Sequence, residues 1–101
     1  MSAPQLEFGR ESEGAAGWRW PVRVFAGGRV HARAVSLGFQ DYDLWSRGRV
    51  PPVRTAEACL LWLLEREDAA GLADPFDLGR VRRRHPAVDR ELPARLGIRL
   101  H

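Results

Sequence analysis

Four arginines crowd one short segment near the carboxyl end of the chain, where only a valine interrupts the charge. These candidate anion-binding residues are Arg80, Arg82, Arg83 and Arg84. On a helix, Val81 would face the core with Arg82 or His85, and the other three arginines would project outward as one cationic patch. Such a patch can neutralise two or three phosphates of a nucleic acid with a salt-dependent, sequence-independent affinity. The alternatives are an acidic protein partner, or a solvated helix face whose arginines pair with acids between positions 65 and 77.

A second cluster interleaves aromatic and basic side chains between positions 18 and 33. Single-stranded nucleic-acid binders use this combination for base stacking and backbone contact. Core packing is the competing interpretation, because Trp18 and Trp20 share one strand face with Val35 and Leu37. Tryptophan and arginine are also typical of protein interfaces. The candidate interface residues are Trp18, Trp45, Arg19 and Arg23.

Catalytic chemistry has little support in the sequence. Asp41 and Asp43 flank Tyr42 and could act in acid and base chemistry or hold a cation, but no Cys or His joins them. A turn or helix-cap role is therefore predicted for both aspartates. The histidines share no ligand motif, the serines lack a nucleophile elbow, and Cys59 lies in an apolar run that favours core packing. We predict no catalytic residue, no metal and no cofactor, so the chain is not expected to be an enzyme.

Composition places the chain among single globular domains. Its 101 residues are 45% hydrophobic and 29% charged, and all 16 basic residues are arginine. From position 80 onward, seven arginines outnumber two acids. The longest near-apolar run, from Ala58 to Leu64, is too short to cross a membrane, and no secretory signal pattern precedes it. We therefore expect a soluble, cytoplasmic protein that makes no membrane contact.

The predicted elements begin with a β-hairpin. Two alternating runs flank Gly27 and Gly28, a pair that suits a tight turn with positive φ. Pairing Ala26 with Arg29 sets Trp20 opposite Val35 and Trp18 opposite Leu37. Near the turn the same face carries His31 and Arg33, so we expect that end to meet solvent. Residues 1–17 are predicted to be a flexible tail or a short strand.

Helices dominate the second half of the chain. We predict a helical turn from Asp41 to Ser46, a central helix from Val53 to Glu67 after a proline pair, and a basic helix from Phe76 to His85. A further helical turn is expected from Val88 to Leu96. The segment from Ile98 to His101 alternates and is a candidate additional strand.

The order of features from Ala34 to Pro86 resembles a group of small uncharacterised prokaryotic proteins. The matching features are an aromatic-glycine turn, a proline-started helix ending in Leu-Leu-Glu-Arg-Glu, a Phe-Asp-Leu triplet and a basic helix closed by proline. They correspond here to Tyr42, Trp45, Gly48, Pro51, residues 63–67, residues 76–78 and Pro86. The resemblance covers about half the chain and implies a small independent domain, with no catalytic or ligand-binding role to transfer.

These observations predict an α+β fold in which an antiparallel hairpin or three-stranded sheet packs on two or three helices. Residues 18–101 would form one domain. The leading functional hypothesis is a non-catalytic accessory or protein-interaction domain, as a homo-oligomer or as a small subunit of a larger assembly. The alternative is a nucleic-acid-binding protein that uses the Arg80 to Arg84 helix. A third is an enzyme whose site assembles from scattered residues.

Overall fold

A computed structural model of the protein describes residues 3–98, and its centre is the hairpin. Strands β3 (Gly17–Ala26) and β4 (Arg29–Gly38) pair antiparallel along their whole length. Gly27 and Gly28 form the turn at φ of 61° and 74°, a region that glycine adopts without a Cβ clash. Trp20 lies opposite Val35, as the register predicted from the turn requires. The predicted hairpin and its register are confirmed.

Two short strands precede the hairpin within the segment predicted to be a tail or a short strand. Strands β1 (Gln5–Phe8) and β2 (Ser12–Glu13) both pair antiparallel with β3. The inward side chain of Phe8 packs edge-on against Trp20, with ring centroids 5.7 Å apart. Apolar alternation in this segment therefore anchors it to the sheet.

The last strand corrects the predicted start of the basic helix. Strand β5 (Phe76–Asp77) pairs in parallel with β4, so the helix predicted from Phe76 begins only at Gly79. Phe76 is 1% exposed in the core, and Asp77 accepts a hydrogen bond from the Ser36 hydroxyl at 2.9 Å. These contacts favour extended backbone over helix. The sheet is mixed and five-stranded, in the order β1, β3, β4, β5 with β2 also on β3.

Four α-helices and one 3₁₀ helix complete the described part of the chain. They are α1 (Phe39–Ser46), α2 (Pro52–Leu64), the 3₁₀ helix (Ala69–Gly71), α3 (Gly79–Arg84) and α4 (Val88–Arg95). Helix α2 starts at Pro52, one residue before the predicted Val53, and ends three residues before Glu67, because the Arg66 and Glu67 amides both donate to the Leu63 carbonyl. Ile98 is buried outside any strand, and the rest of the predicted C-terminal strand lies outside the described residues.

The elements form two layers, and this α+β architecture confirms the predicted fold class. The inward side chains of β3 and β4 share one core with Trp45 of α1, and with Leu60 and Trp62 of α2. Val22 and Val24 are also buried, so the turn end of this face does not meet solvent as expected. In residues 3–98 no helix is long and apolar enough to cross a membrane.

Candidate functional site

The arginine cluster does not form a single patch. The Arg82 Nε group donates to both carboxylate oxygens of Asp89, at 2.9 and 3.1 Å, and its Nη1 group donates to Asp41 at 3.1 Å. The hydrogen bonds to Asp89 and Asp41 raise the pKa of the guanidinium. Arg82 therefore ties α1, α3 and α4 together. The turn or cap role predicted for Asp41 gives way to this ion pair, because Asp41 faces α3 and only 15% of its side chain is exposed.

Arg84 is also engaged within the chain. Its Nη1 group lies 3.2 Å from Glu67, and the same carboxylate lies 2.6 Å from His85 Nε2. Arg80 and Arg83 are exposed, and within residues 3–98 neither has an acidic side chain at ion-pair distance. The structure thus divides the predicted anion-binding residues into two that hold the fold together and two that face solvent.

The tryptophans are mostly interior residues. Trp20, Trp45 and Trp62 are at most 1% exposed, and Trp18 is half-buried. Each indole N–H donates to a carboxylate, and the four acceptors are Glu11, Asp89, Glu91 and, for Trp18, Glu13. These bonds satisfy the one polar group of each ring. Full burial removes Trp45 from the candidate interface.

Trp18 belongs to an aromatic cluster at the end of the hairpin. Its ring lies edge-on to Phe39, at 4.8 Å between centroids, and to Tyr42, at 5.0 Å. The Tyr42 hydroxyl donates to the Val50 carbonyl at 2.5 Å. This packing gives Trp18 a structural role at the start of α1, with only part of its surface open to a partner.

The other two candidate interface residues lie on the sheet surface that points away from the helices, here called the outer sheet face. Strand β3 contributes the outward side chains Arg19, Pro21, Arg23 and Phe25. Strand β4 contributes the uncharged series Val30, Ala32, Ala34 and Ser36. Of these eight only Phe25 and Ser36 are half-buried, and Val30 is 55% exposed. Strand β1 adds the exposed polar side chains Gln5 and Glu7 to the same face. An antiparallel sheet usually turns polar side chains toward water, so the β4 part of this face is unusually apolar.

Three shallow concavities open along the outer sheet face. The largest, of about 460 Å³, lies beside Phe25 and Val30 at the hairpin turn. A second, of about 390 Å³, lies between Pro21 and Ala34 near the middle of the face. A third, of about 160 Å³, lies beside Arg19 and Ser36. Small side chains and a proline therefore leave shallow depressions along the length of the face.

The charges on this face are few and partly neutralised. Arg23 forms an ion pair with Glu7 of β1, with its Nε donating at 3.0 Å, and its guanidinium carbon lies 5.7 Å from the Phe25 ring centroid. Within residues 3–98, Arg19 has no acidic side chain at ion-pair distance. One cation is thus available to a partner, and the other is already balanced.

The neighbouring edge of β4 is covered. The Ala34 amide donates to Asp74 at 2.9 Å, and the Arg33 guanidinium donates to the carbonyls of Ala32 and Leu72 at 2.8 and 2.9 Å. A partner strand would have to displace these bonds to pair with the edge. The face is more accessible to a partner than the edge.

Groups that could carry catalysis or hold a metal are dispersed. Within residues 3–98 no three His, Cys, Asp or Glu side chains come together as metal ligands. Cys59 is fully buried, and burial raises the pKa of its thiol, which disfavours the nucleophilic thiolate. That the chain has no catalytic residue and binds no cofactor stays a prediction.

The fold and this surface define a two-layer α+β domain with one open sheet face. Comparisons with protein-family models, with curated proteins and with solved structures found no match. Function must therefore be argued from the surface itself.

Sequence reasoning placed Arg19 and Arg23 correctly on one strand but did not recognise the face they share. The signal was present in β4, where every second residue from Val30 to Ser36 is uncharged. The face of Trp20, predicted to pack in the core, is the one that the helices cover. The opposite face also carries apolar side chains, and alternation alone does not show that these side chains stay exposed.

Proposed function

We propose that this chain is a non-catalytic protein-interaction domain, and that the outer sheet face is its docking surface. The observation that carries the proposal is the uncharged series on β4 beside Pro21 and Phe25, exposed on a face that no helix of residues 3–98 covers. Apolar surface loses its contact with water when a partner covers it, at about 25 cal/mol per Å². A flat, largely apolar protein surface is the partner chemistry that fits.

The distribution of arginines supports a protein partner over a nucleic acid. Arg82 and Arg84 are committed to Asp41, Asp89 and Glu67, which leaves Arg80 and Arg83 on α3. Two phosphate contacts would give a slope of only about −1.8 for log affinity against log salt. Nucleic-acid binding by the α3 helix remains the alternative, but within residues 3–98 the helix offers two free arginines where the sequence predicted a patch of three.

Site-specific photo-crosslinking tests the proposal. A benzophenone amino acid replaces Val30 on the outer sheet face, and matched variants carry it at Gln40 of α1 or Arg83 of α3, all three exposed. We expect a protein adduct of defined mass only from position 30, where the native side chain is already large. The adduct should disappear when Ala32→Arg is added, because the second substitution fills the same face with charge.

Other results would redirect or end the proposal. Adducts from position 83 that contain nucleic acid would transfer the function to the α3 helix. Adducts from Gln40 alone, or none at position 30, would show that the outer sheet face meets no partner.

A further inference from the structure

We propose that the occupant of the outer sheet face is a second copy of this chain, packed face to face with its β3 strand running antiparallel to the first. This inference rests on the proposed function and specifies its partner. The symmetry axis would pass over Val22 of β3 and its neighbour Arg33 of β4, which are paired in the sheet. Such an interface is isologous, so each contact occurs twice.

The antiparallel arrangement matches unlike groups. Positions equally far from Val22 face each other, so Arg19 of one copy meets Phe25 of the other, and Pro21 meets Arg23. A guanidinium on an aromatic ring is favourable, and the concavity of about 460 Å³ beside Phe25 gives the arginine room. Arg23 already lies near this ring, but its charge is balanced by Glu7.

The parallel arrangement is disfavoured by charge. Stacking β3 on β3 in the same direction would set Arg19 against Arg19 and Arg23 against Arg23 of the second copy. Like charges facing across a buried surface oppose association. The order of residues along β3 therefore selects one direction.

The middle of the face permits close approach. In the antiparallel arrangement Ala32 meets Ala34 of the second copy, and both methyl groups are exposed in the single chain. Packed sheets lie about 10 Å apart, a spacing that small side chains allow without distortion. A large or charged side chain at either alanine would force the two sheets apart.

The available area predicts a reversible dimer. The ten-residue strands β3 and β4 span about 33 Å with a joint width of about 10 Å, and the shorter strands β1 and β2 widen part of this face, so each copy can bury roughly 400–500 Å². The total of about 800–1,000 Å² lies in the range of weak, transient interfaces. We therefore expect association in the micromolar range.

Sedimentation velocity over a concentration series tests this dimer. The purified chain is compared with Ala34→Arg and with the matched control Ala70→Arg, whose position is exposed on the 3₁₀ helix. We expect Ala34→Arg to raise the dimer dissociation constant at least about tenfold and Ala70→Arg to leave it unchanged. Near-ultraviolet circular dichroism verifies that each variant is folded.

A double-mutant cycle of Arg19→Ala and Phe25→Ala tests the direction of packing. The two residues lie six positions apart on one strand, about 20 Å, so they cannot touch within a chain. Their effects on dimerisation should be non-additive, because both remove the same contact between copies. Fully additive effects would overturn the antiparallel register.

The two proposals fail separately. A chain that stays monomeric up to about 1 mM, yet gives an adduct with a different protein from position 30, would overturn the second copy and leave the docking surface in place. A monomer with no adduct at position 30 would overturn both.

Discussion

The two sides of the sheet differ in how their polar groups are used. On the helical side, Asp89 accepts hydrogen bonds from both Arg82 and Trp45, and no buried side-chain nitrogen or oxygen in residues 3–98 lacks a partner. On the outer sheet face, exposed alanines and Val30 have no such partners. Arg82 and Asp89 on the helical side thus link elements of the fold, while the outer side exposes apolar surface to solvent.

The largest expected contrast in stability compares an aromatic residue from each side. Trp45→Ala should lower the free energy of unfolding by about 3–5 kcal/mol, because it opens a cavity in the core and leaves Asp89 without the indole donor. Phe25→Ala should lower the free energy of unfolding by only about 1 kcal/mol, because its ring is half-buried and lies outside the hydrophobic core. Urea denaturation of the two variants measures both values. Equal losses would show that the outer sheet face also supports the fold.

Two neighbouring arginines on α3 give a matched pair. Arg82→Ala should cost about 1–3 kcal/mol, since it leaves the largely buried Asp41 carboxylate without its cation. Arg83→Ala, one residue away and exposed, should change stability by at most about 0.5 kcal/mol. Thermal unfolding of both variants resolves this difference, and similar values would contradict the division of the cluster into structural and free arginines.

A substitution at Gly79 tests how tightly side chains pack where strand β5 meets helix α3. A Cβ at this position would lie 2.8 Å from Asp77 Oδ2 and 2.9 Å from Asp41 Oδ2. The other oxygen of each carboxylate accepts a hydrogen bond, from Ser36 and from Arg82 respectively, so neither carboxylate can move away freely. Gly79→Ala should therefore cost about 1–2 kcal/mol. Gly71→Ala is the control, because its Cβ would meet open space. Chemical denaturation compares the two, and a neutral Gly79→Ala would show that these aspartates move freely.

The smallest expected effect concerns acid stability on the helical side. Arg95 donates two hydrogen bonds to the Glu65 carboxylate, at 2.5 and 2.7 Å. They are the main reason that the pKa of Glu65 lies below its ordinary value. A lowered pKa in the folded state contributes stability above the unfolded pKa, and this stability is lost as the pH falls through the folded value.

Arg95→Gln should accordingly flatten the loss of stability between pH 5 and 3, a window set by the ordinary carboxylate range of about 4. Both side chains are well exposed, so solvent screening limits the effect to about 0.5 kcal/mol. Melting temperatures measured across this range detect it. A wild-type profile that already matches Arg95→Gln would indicate that the pair contributes nothing.

Local patterns predicted the elements better than the site. The glycine pair and the alternation around it gave the hairpin with its register, and the proline pair gave the start of α2. The start of α3 was wrong, because Phe76 enters the core and pairs with Val35 from 41 positions away. Propensity within one segment contains no information about such a neighbour.

The predictions for the candidate site were likewise correct for local features and wrong for contacts between distant residues. Sequence spacing correctly predicted that Arg80 and Arg83 project outward from a helix. It missed the burial of Trp45 and the bond from Arg82 to Asp41, which is also 41 residues distant.

What the sequence determined by itself is therefore the hairpin, the helical segments and the uncharged series on β4, since turn geometry and side-chain period act over a few residues. Tertiary structure alone decided that the turn end of the core face is buried and which arginines form ion pairs with acids. Those outcomes depend on the helices packing on one side of the sheet, where burial makes every polar group seek a partner. The buried tryptophans of the helices pack with the inward side chains of the hairpin, and no helix of residues 3–98 covers the opposite side.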